Sequence, residues 1–174
     1  MNIPAHFQRL FEYEADCSVK VLASLRTARA HLESGGVAAE AAPFVRATEI
    51  FAHIQAARRI WLSRLDKTVS SPSDGLFPAW SLEKVAAEMQ EMDTAWVTHA
   101  KGLTEPALDR VLTYKTTEGL DRALSVRDIL THVVNHSTYH RGQIARLIAE
   151  CAVKPAVTDY IQFAYEHPDG GRSR

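Results

Sequence analysis

Apolar residues recur at three- and four-residue steps through four long stretches of the chain, the spacing that lines one face of an α-helix. The first stretch runs from about Pro4 to Leu32, where Leu10, Val19, Val21, Leu22 and Leu25 sit among charged residues and no glycine intervenes until Gly35-Gly36. The second runs from about Phe44 to Leu65, with Pro43 suited to a first turn and Ile50, Ile54, Ala57, Trp61 and Leu65 on one stripe. Ser81 is an N-cap for the third, which carries Leu82, Val85, Met89, Met92 and Trp96 as far as Lys101 and stops at Gly102. Ser125 and Asp128 form an S-x-x-D capping pattern that opens the fourth, ending near Cys151 ahead of Pro155.

The connections read differently. KTVSSPSDGLFPAW is a loop by composition. TEPALD predicts a single helical turn, RVLTYKTTEGLDRALS a short hairpin about a Glu118-Gly119 turn, and DYIQFAYEH a short C-terminal helix. Four amphipathic faces are buried most simply in a bundle, so the expected class is all-α, with antiparallel long helices and a short hairpin before the last of them. Residues 1–168 are expected to form one domain, and 169–174, which contain GGRSR, a loose tail.

Composition narrows the partners. The 174 residues, 46% of them apolar, suffice for one sizeable core. Lys plus Arg total 20 against 21 Asp plus Glu, interleaved without a basic stripe, so neither nucleic acid nor a membrane surface is an expected partner. The first residues lack the apolar core of a signal peptide and no window resembles a membrane span, which leads to the expectation of a cytoplasmic protein. Cys17 and Cys151 have no C-x-x-C spacing and read as small buried hydrophobes.

The chemistry concentrates in HVVNHSTYHRGQ, residues 132–143, with three histidines at four-residue steps. With Val126 at zero on a helical wheel, Ile129, Leu130, Val133, Ile144, Leu147, Ile148 and Cys151 fall within roughly 60°, His140 at about −40°, His136 at about −80° and His132 at about −120°. His136 and His140 therefore face inward together and can offer two imidazoles to one ion. His132 and His140 are roughly 12 Å apart along the axis, too far to share it, which casts His132 as a pocket residue. Of His6, His31, His53, His99 and His167, only His53 lies mid-helix at the edge of an apolar arc, formed by Ile50, Ile54, Ala57 and Ile60. A single inward histidine is usually a hydrogen-bonded core residue. Three of them are satisfied together by one divalent ion that keeps an open position.

The pattern H-x-V-N-H-S-T-x-H-R-G-Q resembles the signature of the DinB (YfiT-like) family of metal-dependent enzymes. IFAHIQAARRIWLSRL, residues 50–65, is similar to the family's helix carrying its first ligand histidine, and LFEYEADCSVKVLASL, residues 10–25, resembles its opening helix more loosely. The resemblance implies a DinB-like four-helix bundle, a zinc or nickel ion on His53, His136 and His140, and a homodimer. Tyr139 stands where many members have histidine, and Asp16 and Ser18 where tryptophan and asparagine are common. Tyr139, Asp16, His132 and Gln143 are the expected pocket or supporting residues, with Gln143 a partner for a ligand histidine and Arg141 a salt-bridge candidate.

Gly142 faces away from the core stripe, where close approach of another helix or subunit would explain it. A metal with an open position polarises an oxygen or activates a bound water or thiol. Relatives of this kind are similar to bacillithiol- or mycothiol-dependent transferases. The resemblance therefore implies a small-molecule substrate and transfer of a low-molecular-weight thiol onto an electrophile. Hydrolysis by a metal hydroxide and a non-catalytic metal-containing stress-response or binding bundle are the alternatives; no acidic residue stands out as a dedicated base, although Asp16, Glu12 and Glu49 lie on helices that can face the same cavity.

Overall fold

The computed structural model describes residues 2–35, 41–116 and 118–168, so the expected tail at 169–174 lies outside the described residues. These residues form helices α1 (Ile3–Ser34), α2 (Ala42–Leu65), α3 (Leu82–Lys101), α4 (Glu105–Asp109), α5 (Val126–Glu150) and α6 (Tyr160–Glu166), with strands β1 (Val111–Lys115) and β2 (Asp121–Ser125) between α4 and α5. The class is all-α, as the periodicity predicts.

Local chemistry sets the boundaries. Asn2 Oδ1 accepts from the Ala5 amide at the start of α1, and Gly35 caps its end. Pro43 occupies the first turn of α2. Ser81, Thr104 and Ser125 each accept from the amide three residues on, opening α3, α4 and α5. The hairpin pairs Val111 with Ser125 through Lys115 with Asp121, and Gly119 in its turn has φ +83, a left-handed conformation that favours glycine.

Two apolar layers fill the bundle. One gathers Leu25, Leu32, Phe44, Phe51, Val85, Met89, Ile144 and Ile148; the other gathers Phe7, Phe11, Leu62, Met92, Trp96, Leu130 and Val133. Each layer thus joins one end of α1 and α5 to the opposite ends of α2 and α3. The closest neighbours, α1 with α3 and α2 with α5, are antiparallel. By contrast α2 and α3 run the same way, as do α1 and α5, so the connection from Asp66 to Ser81 travels back along the bundle before α3 begins. Val19, expected on the α1 stripe, is exposed: it lies about 130° from the arc centred on Glu14 and Leu25.

Polar groups occupy the level between the layers. Arg58 is 1% exposed and its Nη1 donates to Asp93 Oδ1 at 2.7 Å, with Ser18 and Gln55 completing the cluster. Arg141 Nη1 donates to Glu14 Oε1 at 2.7 Å, while its Nη2 donates to Tyr13 and Thr138 hydroxyls at 2.8 Å. Buried charges persist only when paired in this way, and the pairs tie α1 to α3 through Ser18 and to α5 through Glu14 at one register. Cys17 and Cys151 are free and buried, as expected, and burial pushes the Cys17 thiol up to about 11.

Candidate metal centre

His53 from α2 and His136 and His140 from α5 meet at this polar level, with one ligand-capable atom from each within 4.8 Å of the others. Their spacing follows from helix geometry. His136 and His140, one turn apart, have ring centroids 4.5 Å apart, and antiparallel packing of α2 brings the His53 ring to 5.0 Å from the first and 4.7 Å from the second.

Hydrogen bonds decide which nitrogens are free. His53 Nδ1 lies 2.9 Å from the Leu76 carbonyl oxygen, which only accepts, so Nδ1 carries the proton and Nε2 presents a lone pair. His140 Nδ1 donates in the same manner to Gln143 Oε1 at 2.9 Å, leaving its Nε2 open. His53 Nε2 faces His136 Nε2 at 3.1 Å. Burial, reinforced by the adjoining His140, His53 and His132 rings, pulls the His136 pKa down to about 3, and burial also lowers that of His53. Both rings are therefore neutral in neutral water, the form that binds metal.

The donor set fits a divalent ion. Three imidazoles without a thiolate suit first-row divalent metals as a group and do not by themselves select one. Tetrahedral bonds of 2.0–2.1 Å place ligand nitrogens about 3.3 Å apart, close to the His53–His136 separation.

Two cavities flank the histidines. One, of about 300 Å³, is lined by His53, His140, Gln143, Phe77 and the Arg46–Glu49 ion pair. The other, of about 230 Å³, is lined by His53, His136, His132, Trp61, Arg64 and Tyr114. The returning α2–α3 connection roofs the centre: Leu76 supplies its carbonyl, and the Phe77 ring stacks on His53 at 4.4 Å while remaining 72% exposed.

The other expected residues divide. Gln143 and His132 are at the centre, His132 with its ring 5.4 Å from that of His136. Tyr139 is exposed, its ring 5.1 Å from that of His140. Asp16 lines neither cavity; it pairs with Lys20 at 2.8 Å, which itself pairs with Glu166 of α6. Glu12 also lines neither, whereas Glu49 lines the first. Gly142 is exposed and a methyl there would meet nothing within 4 Å beyond its own helix, so no close approach among the described residues explains it.

The model of the DinB family matches residues 1–171. The chain belongs to the DinB family. A 36-residue stretch is 47% identical to Protein DinB of Bacillus subtilis (strain 168), covering 21% of this chain. That match spans only 21% of the relative's own length. No solved structure matches. The bundle and the three-histidine cluster of this DinB member are thus compatible with a divalent metal, and no described helix is long and apolar enough to cross a membrane.

Reading the sequence missed Leu76, Phe77, Arg46, Arg64 and Tyr114 as residues of the centre. Trp61 was expected on the buried stripe; it is half-buried and lines the second cavity beside His132, ring centroids 5.5 Å apart. Its signal was present, since Ala57, Trp61 and Arg64 continue the face of His53 toward the end of α2.

Proposed function

We propose that His53, His136 and His140 hold a zinc or nickel ion and that the chain is a metal-dependent enzyme transferring a low-molecular-weight thiol onto a small electrophile. The observation that carries this reading is the pair of fixed tautomers, His53 on the Leu76 carbonyl and His140 on Gln143, which turn two Nε2 lone pairs toward His136. A divalent ion bound there with an open position supplies a Lewis acid that makes a thiol acidic at neutral pH.

The chain's own groups do the rest. Leu76 and Gln143 keep the imidazoles in their metal-binding tautomers. Phe77 covers one side of His53 and limits water. Glu49, which lines the first cavity one turn before His53, would take the thiol proton as sulfur bonds to the electrophilic carbon and the leaving group departs with its electron pair. Cavities on both sides of the histidines leave room for a thiol and an acceptor at once.

The test is metal analysis of protein purified without a histidine tag, followed by small thiols paired with chromogenic electrophiles. About one equivalent of metal is expected, lost in His136→Ala, together with turnover lost on substituting any of the three histidines. Metal content below stoichiometry, or unchanged in His136→Ala, refutes the centre. Stoichiometric metal without thiol transfer refutes the transferase reading and directs the assay to ester and amide hydrolysis.

A further inference from the structure

The second cavity contains a positive charge with no assigned task. Arg64 lies near the end of α2, and its guanidinium carbon sits 4.7 Å from the Trp61 ring centre and 4.6 Å from that of Tyr114. One nitrogen, Nη2, donates to the Lys115 carbonyl oxygen at 3.0 Å. The two ring centres are themselves 5.1 Å apart, so both rings flank the guanidinium from neighbouring directions, and its donors other than Nη2 have no partner among the described residues. None of its nitrogens is among the buried polar atoms without a partner, so those donors stay open to solvent. Among the described residues Arg64 forms no ion pair, and no aspartate or glutamate lines the cavity. The buried arginines elsewhere in the described structure are matched: Arg58 with Asp93, Arg59 with Glu88, Arg141 with Glu14.

From this we infer that Arg64 is the binding site for the carboxylate of a substrate whose other end reaches the histidine centre. His53 and His136 line the same cavity, so one molecule can touch both. Arg64 follows His53 by roughly 16 Å along the helix axis and its side chain tilts back toward the amino end, so the ligand is elongated. A single positive charge presenting a planar fork matches a monoanionic carboxylate in charge and shape, whereas a phosphate dianion would be left half compensated. Trp61 and Ile60 supply apolar wall for the intervening chain. Burial lowers the Arg64 pKa, in keeping with a cation that no protein carboxylate neutralises. The assignment rests on the metal reading for the far end of the ligand alone.

Three probes separate the two ends: 6-mercaptohexanoate, 6-mercaptohexan-1-ol and hexanoate, titrated calorimetrically into zinc-reconstituted protein. The acid thiol should bind about tenfold more tightly than the alcohol, the scale of a charge-assisted hydrogen-bonded pair. Arg64→Gln should bring the two within about twofold while zinc content stays unchanged. Equal affinity of acid and alcohol in the unmodified protein, survival of the preference in Arg64→Gln, or no binding of either at millimolar concentration overturns the assignment. Should Arg64→Gln fail to fold, Arg64→Lys decides: loss of most of the preference is expected, and its full retention overturns the role of the fork. The metal reading fails separately, if hexanoate binds as well as 6-mercaptohexanoate or zinc is not retained.

Discussion

Gln143 offers the sharpest test of how the centre is held. It does not touch the metal position; its Oε1 accepts the Nδ1 proton of His140 at 2.9 Å. Replacing it with leucine keeps a side chain of comparable bulk and removes the acceptor. A neutral hydrogen bond contributes about 1 kcal/mol net, but the N–H of a metal-bound imidazole is polarised, and bonds to charged groups contribute about 1.5–3 kcal/mol. At 1.4 kcal/mol per decade, Gln143→Leu should weaken metal binding by roughly 10- to 100-fold. The matched change Gln143→Glu supplies a stronger acceptor and should preserve or tighten binding. Zinc affinity measured by competition against a chromogenic chelator at fixed pH reads both variants, with thermal unfolding of the metal-free proteins as the control for fold. A leucine variant within twofold of the unmodified protein, or a glutamate variant weakened equally, refutes the claim that this hydrogen bond sets the ligand tautomer.

Further outcomes follow from other groups. Glu14→Gln leaves Arg141, 5% exposed, charged without a counterion, and should cost about 3–5 kcal/mol, or roughly 6–20 °C in melting temperature, whereas the double change Glu14→Leu with Arg141→Met should recover most of it; a single variant melting within 2–3 °C of the parent defeats this. Gly142→Ala should stabilise by about 1 kcal/mol, since the site is exposed mid-helix with space for a methyl, and a loss of stability in denaturant titration would show that another subunit approaches there. The His136 pKa is about 3 folded and about 6.5 unfolded, so the unfolded chain binds more protons between those values. Metal-free protein should therefore lose stability as pH falls below about 6.5, and His136→Phe should flatten that slope in urea titrations at pH 7.5 and 5; an unchanged slope counts against the neutral ring.

The helices were legible because their signals are local. Ser81 and Ser125 cap where the sequence places caps, and the buried stripe of α5 holds Ile129, Val133, Ile144 and Ile148 as the wheel arranges them. His53, His136 and His140 were legible for the same reason: each sits on a helix whose inward face is set by its apolar neighbours. Asp16 was misplaced because rotation on α1 says nothing about which helix it will face, and the helix order sends it toward Lys20 and α6. Leu76 and Phe77 were out of reach of pattern reading. Their positions depend on α2 and α3 running in parallel, which forces the connection past His53, and no periodicity within either helix encodes that direction.

The carbonyl that holds His53 belongs to the main chain, and this divides the centre by how freely it can diversify. A backbone acceptor survives a change of its own side chain, so Leu76 and its neighbours from Asp66 to Trp80 can be rewritten to line the cavities for new molecules while the imidazole keeps its orientation. His140 has no such freedom, because its anchor is the Gln143 side chain. A directed library aimed at new substrates should accordingly draw its functional variants from the roof and hold the α5 segment from His136 to Gln143 constant.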